Sequence, residues 1–386
     1  MVENRVKNLD LLFDKNPLKG TKMKVYKNAI HYINYSDKFN SATIRSIIRF
    51  VNSVRSKYRA KIPIYFEFPN HNLEIRDKLV YVMFECICYS LKLEKRRVYV
   101  FWKPKNIIHV QGVYSSPLHL LNSENGVTND KFVKQFKKDI FQRHFRKLIT
   151  EQDLESNYLG VLLQELTIFL KMFDLSKSRI DRICSVIVEL VGNAGEHARS
   201  ECLIDIDVTE DHYKKDDDGQ YYAINIVILS FSNILLGDEI KEKVLNTRFG
   251  TERYTDLRLA YRNHESMFGN SSSPYKEEHF WDIAALQDKI SGRKDNSPTG
   301  GTGLTVLINS LQKEAENNLC YVMSGDKLII FKKELIKYDK QMWLGFNKEN
   351  DFFNYPPDNS ALTSSKVWIP GTAYNLNFVM KKEEEQ

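Results

Sequence analysis

The residues best suited to chemistry lie in one helical stretch, about 176–198. Placing residues at about 100° each gathers Ile180, Ile183, Cys184, Ile187, Leu190, Val191, Ala194 and Ala198 on one apolar face. Glu189, Asn193, Glu196 and His197 fall together on another, where separations of three and four make side chains neighbours. Carboxylate, carboxamide and imidazole on one face suit a hard cation held with phosphate oxygens. An Asn side-chain oxygen can ligate Mg²⁺, which keeps several waters and binds phosphates, and a nearby Glu can orient or deprotonate water. Gly192 and Gly195 interrupt the helix, each at a cost of about 1 kcal/mol relative to Ala. A ligand approaching the backbone gives such glycines a purpose. The alternative is a polar face that meets only solvent.

A second candidate is Ser297-Pro298-Thr299-Gly300-Gly301-Thr302-Gly303-Leu304-Thr305, followed by apolar Val306, Leu307, Ile308 and Leu311. A glycine-rich loop opening into a helix offers unpaired N–H groups and the positive end of a helix dipole to an anion. The pattern is neither GxGxxG nor GxxxxGK[ST], and a structural glycine turn is the competing reading.

Taken together, Glu189-x-x-x-Asn193-Ala194-x-x-His197 and, about a hundred residues on, Gly300-Gly301-Thr302-Gly303-Leu304 resemble the N box and later glycine box of the GHKL ATPase superfamily. That superfamily holds gyrase, the ninety-kilodalton heat-shock chaperones, histidine kinases and mismatch-repair ATPases. Pro370-Gly371-Thr372-Ala373-Tyr374-Asn375-Leu376-Asn377-Phe378 is similar to its last strand, which opens with Gly-Thr. The resemblance covers about 154–380. It implies a Bergerat-type α/β sandwich, a mixed sheet with helices on one face, binding ATP and Mg²⁺. Asn193 would coordinate the metal, Glu189 would activate water, and His197 would belong to the same box. Thr299, Gly300, Gly301, Thr302, Gly303 and Leu304 would cradle phosphates, and Thr372 would sit near adenine. Residues 291–299, within a region 236–299, would form a lid. The superfamily also carries an Asp-x-Gly-x-Gly segment whose Asp binds the adenine amino group. Here the chain reads Leu229-Ser230-Phe231-Ser232-Asn233, leaving Ser230 or Asn233 for that contact. No histidine-bearing dimerisation helix pair precedes the N box, which disfavours a two-component sensor kinase.

The elements that must position these groups fall in two parts, a basic α/β module over 1–150 and the ATPase-like domain over 151–386. The first 150 residues hold 29 Lys and Arg against 12 Asp and Glu, a balance of +17, and the remainder balances to −11. Such a split suggests modules with different partners. Nucleic acid or an acidic protein face is one reading; mutual attraction of the two halves is another. In the module, 41–59 reads as a helix with Ser41 as N-cap, 62–68, 97–102 and 107–112 as strands, and 74–92 as a helix. A basic linker helix is predicted over 129–149. Beyond it come helices near 154–173 and 176–198 and strands at 202–208 and 221–230. A polar helical region spans 236–290, with strands near 320–323, 327–331 and 372–379.

The chain has 386 residues, 42% of them hydrophobic and 12% aromatic, a composition that folds rather than stays disordered. No apolar run reaches the length of a membrane span. Five scattered cysteines without a CxxC pair argue against a zinc or disulfide framework, and a cytoplasmic, reducing compartment follows as the expectation. Three functions fit: an ATP-driven switch with slow or conditional hydrolysis that controls a partner of the basic module; a serine protein kinase or anti-factor; and a non-catalytic nucleotide-binding scaffold. A homodimer accords with the first, since several relatives dimerise outside the nucleotide site.

Overall fold

The computed structural model describes residues 8–17, 24–102, 115–122, 126–154, 158–196, 200–214, 217–246, 252–269, 273–288, 290, 303–314 and 320–382. The module runs α1 (Leu11–Asp14), β1 (Lys24–Tyr26), β2 (Ala29–Ile33), β3 (Lys38–Phe39), α2 (Ser41–Lys57), β4 (Ile64–Phe68), β5 (Glu74–Ile75), α3 (Lys78–Leu93) and β6 (Val98–Trp102). Strands β2, β4 and β6 lie parallel in that order, with β1 antiparallel at the edge. Helices α2 and α3 make the crossovers that parallel neighbours require. Ile44, Ile47, Ile48, Val51 and Val54 of α2 are buried, as its stripe predicts. Asn40 rather than Ser41 caps it: the Asn40 side chain accepts from Ala42 N at 2.9 Å, and Thr43 Oγ1 completes a capping box. The strand expected at 107–112 lies outside the described residues.

The predicted linker helix over 129–149 is instead α4 (Gly126–Lys137) followed by a hairpin, β7 (Lys138–Phe141) and β8 (His144–Ile149). From 144 the side chains alternate. Phe145 and Ile149 enter one core, while His144, Arg146 and Leu148 turn to the opposite side. A helical reading treats His144 and Arg146 as solvated, yet both are buried. This stretch pairs with β9, so strands from before residue 150 complete the second unit's sheet.

That unit continues with α5 (Glu151–Leu154), α6 (Tyr158–Leu170), α7 (Lys177–Glu196), β9 (Cys202–Lys214), β10 (Asp217–Ser230), α8 (Asp238–Asn246), α9 (Glu252–His264), α10 (Glu277–Ala285), α11 (Gly303–Glu314), β11 (Tyr321–Ser324), β12 (Lys327–Ile330), β13 (Leu362–Ser364) and β14 (Thr372–Lys381). Its sheet has the order β13-β12-β11-β14-β10-β9-β8-β7. Two features depart from a mixed sheet with helices on one face. Every pairing is antiparallel, because β7–β8, β9–β10 and β11–β12 are successive hairpins. Both faces are also covered. Ile204, Ile206, Ile224, Ile226, Tyr374 and Leu376 join the core beneath α6, α7 and α11. The alternating residues Leu203, Val227, Leu229 and Ala373 join the module's core instead, where α3 lies against β10 and β14. Strands buried on both faces lose the apolar–polar alternation of a half-solvated sheet.

The region 236–290 is helical as predicted, but it is no surface flap. Ile240, Val244, Tyr254, Leu257, Phe280 and Trp281 are buried in the main core. Among the described residues, no helix is long and apolar enough to cross a membrane.

Candidate functional site

Helix α7 presents its apolar residues as expected: Ile180, Ile183, Cys184, Ile187, Leu190, Val191 and Ala194 are buried. Glu189 and Asn193 are half-buried on the neighbouring face. Helix α11, which follows the glycine-rich loop, packs directly on α7. Two segments over a hundred residues apart therefore meet under one sheet face. The start of α11 is anchored, since Thr305 Oγ1 donates to Asp288 Oδ1 at 2.8 Å. Arg253 in turn donates to the Asp288 carbonyl at 2.6 Å and stacks 3.9 Å from the Trp343 ring centre. His197, Thr299, Gly300, Gly301 and Thr302 lie outside the described residues, and Gly303 and Leu304 are described only as the first residues of α11.

A Cβ on Gly192 would lie 3.5 Å from Leu159 Cδ1, so this glycine faces helix α6 at ordinary contact distance. A methyl group would fit there, so helix packing does not by itself require this glycine.

At the strand ends the structure brings Ser230 and Thr372 together, and it spends the hydroxyl in doing so. Ser230 Oγ donates to the Thr372 carbonyl at 3.1 Å and accepts from Thr372 N at 3.0 Å. Gly371 just before has φ +71°, and a Cβ there would stand 2.8 Å from Ser230 O and Oγ. Ser230 thus closes β10 onto β14. Asn233 is exposed.

A carboxyl that the sequence reading missed lies on the same flank. Asp282 of α10 is buried, and burial pushes its pKa well above the usual range, reinforced by the Asp238 charge and opposed by the N–H of Gly237. The Tyr374 phenol is also pushed up, by burial and then by the charges of Asp282 and Glu189. These three side chains share one electrostatic neighbourhood. The available signal was a single acid inside the apolar run Phe280-Trp281-Asp282-Ile283-Ala284-Ala285.

The opposite face of the sheet holds a second polar cluster. Lys78, Tyr81 and Glu85 form one stripe of α3 at helical spacing. Facing them, at alternate positions of β8 and β9, are His144, Arg146, Asp205 and Asp207. Lys78 Nζ lies 2.6 Å from Asp205 Oδ1 and also contacts Asp207. Arg146 bridges Glu85 and Asp205. His144 reaches Asp139 at 2.9 Å through Nδ1 and Asp205 at 3.0 Å through Nε2. Burial raises the Glu85 pKa against the pull of Arg146. Burial alone would raise Asp205, but Arg146, Lys78 and His144 hold it far below the carboxylate range. Burial lowers His144, yet the Asp205 charge and the hydrogen bond to Asp139 lift it to about 9.

His144, Asp205 and Asp207 bring ligand-type atoms within 4.8 Å of one another, a spacing open to a metal. Lys78 and Arg146 already supply the positive charge there, so a divalent ion would have to displace an ammonium and meet a guanidinium. The geometry fits an ion-pair joint better than a metal centre. It also accounts for part of the charge split along the chain, because Lys78 and Arg146 from the basic half neutralise Asp205 and Asp207 from the acidic half.

No protein-family model, no curated protein and no solved structure matches this chain.

Proposed function

We propose that this chain binds Mg-ATP beside α7 and α11, as a divergent member of the GHKL ATPase superfamily with a Bergerat-type domain. In this reading nucleotide occupancy is a conformational signal to the basic module. The observation that supports it is the packing of α7, which bears Glu189 and Asn193, against α11, the helix that follows the glycine-rich loop. The donor set fits the group. Asn193 offers a neutral oxygen for Mg²⁺, and Glu189 offers a carboxylate to orient water. The first turn of α11 would offer its N–H groups and dipole to phosphate. Bound Mg²⁺ would neutralise phosphate charge.

The base-binding end differs from the superfamily pattern. Ser230 is committed to Thr372, so Asp282 becomes the acid assigned to that flank, next to Tyr374 on the strand that Thr372 opens. A route to the module follows from the strands themselves. Thr372 and Tyr374 alternate along β14 with Ala373, Asn375 and Asn377, which face the α3 side. A partner of the basic module, nucleic acid or an acidic protein, would read the result.

A second reading is a binding scaffold without turnover, favoured by the committed hydroxyl of Ser230. Titration with ATP, ADP and GTP, with and without Mg²⁺, separates the two when combined with a turnover assay. Mg-dependent ATP binding with slow phosphate release supports the switch. Binding without any release supports the scaffold, and no nucleotide binding under any condition sinks both.

A further inference from the structure

We infer that the chain has a second ligand site, at the joint between the module and the eight-stranded sheet, which takes a small neutral molecule with an apolar body and one hydrogen-bond donor. A cavity of about 300 Å³ opens there, at the lower end of the range that small-molecule sites occupy. It is far larger than the voids that close packing leaves in a protein interior. The module contributes the starts of α2 and α3, and the sheet contributes β11, β12, β13 and the segment leading to Ile369. Thr363 and Ser364 are exposed at its rim.

Charge and hydrogen bonding define the occupant. Met83, Met323, Leu328 and Val367 give it apolar walls, with two methionines that can adapt to a guest. No Lys, Arg or His is among the described lining residues, so an anion would meet no counter-charge from them. The polar end is Asp77 with Tyr321. The phenol donates to the carboxylate at 2.8 and 3.0 Å, and Asp77 Oδ1 also accepts from Leu79 N at 2.9 Å. The Val80 N–H also bonds this carboxylate, so the capacity left at this end is the phenol oxygen and a remaining lone pair of Asp77, which a ligand donor could fill. Burial raises the Asp77 pKa, against the Tyr321 hydrogen bond, so a ligand donor would relieve an under-solvated carboxylate. The site is separate from the α7–α11 face and stands whether or not nucleotide binds there.

The methionines allow a direct test on the full chain. With methyl-labelled methionine, signals of Met83 and Met323 are assigned from Met83→Leu and Met323→Leu, near volume-conserving changes. Three probes are then titrated: 4-ethylphenol, 4-ethylanisole and 4-ethylbenzoate. The expected result is saturable shifts of both signals with the phenol, at least tenfold weaker binding of the anisole, and none of the benzoate. Ser364→Phe at the rim should abolish the shifts while other methionine signals stay in place. Unmoved Met83 and Met323 signals with the phenol overturn the proposal. So does an equal response to the anisole or the benzoate.

Discussion

The two faces of the eight-stranded sheet carry the same kinds of polar residue and treat them in opposite ways. Toward α3, the ionic side chains are buried and neutralise one another: Lys78 and Arg146 are paired with Asp205, Asp207 and Glu85. Toward α7, Glu189 and Asn193 are only half-buried, and Asp282 is a buried acid on α10 whose burial and neighbouring Asp238 charge outweigh the Gly237 N–H and the Lys327 charge. Charge closed on itself builds a joint. Glu189 and Asn193 lie half-buried on the helix that packs against α11. The proposed nucleotide face is the α7 side, although the ionic cluster has the larger number of charged groups.

The largest expected effect lies in the joint. Arg146→Ala takes the guanidinium from buried Glu85 and leaves Asp205 with Lys78 and His144, and a broken buried pair of this kind costs about 3–5 kcal/mol. Chemical denaturation should show that loss; a change under about 1 kcal/mol would mean the cluster is wetter than its burial implies. The joint should also respond to pH through His144. Its folded pKa of about 9 exceeds the ordinary 6.5, so the folded chain holds a proton that unfolding releases. That stability is whole below about pH 6.5 and disappears as pH climbs through about 9, with a slope approaching about 1.4 kcal/mol per pH unit. His144→Gln should flatten the profile in that window. A wild-type profile that rises there would refute the assignment.

Gly371→Ala should cost about 1–3 kcal/mol, because a side chain must take a left-handed conformation against Ser230 at 2.8 Å. Unchanged stability would show that the strand ends have slack, and would return Ser230 to the list of ligand contacts. On the α7 face the effects on folding should nearly vanish. Glu189→Gln should leave stability within about 0.5 kcal/mol and preserve ATP binding, while reducing any turnover. Wild-type turnover in that variant would remove Glu189 as the base.

How much was legible in the sequence follows the same division. The apolar stripes of α2 and α7, and strands such as β4 and β6, are periodic and could be read directly. The hairpin at 138–149 could not, because burying His144 and Arg146 breaks the rule that charge faces water, and the acids that meet Arg146, Glu85 and Asp205, lie over fifty residues away. The covering of both sheet faces was hidden for a related reason: Leu203, Val227 and Leu229 look like generic strand residues until α3 is seen against them. Glu189 and Asn193 were legible as a pair, since helical spacing alone sets them side by side. Asp282 was not, because its importance comes from Tyr374 and Gly237, both distant in sequence.

The most direct test of the account is calorimetric titration of Mg-ATP into wild type and Asn193→Ala side by side. The account predicts Mg-dependent binding by wild type and at least a tenfold loss, about 1.4 kcal/mol, in a variant that unfolds at the wild-type midpoint. Equal affinities in the two proteins would contradict it, as would wild-type binding indifferent to Mg²⁺.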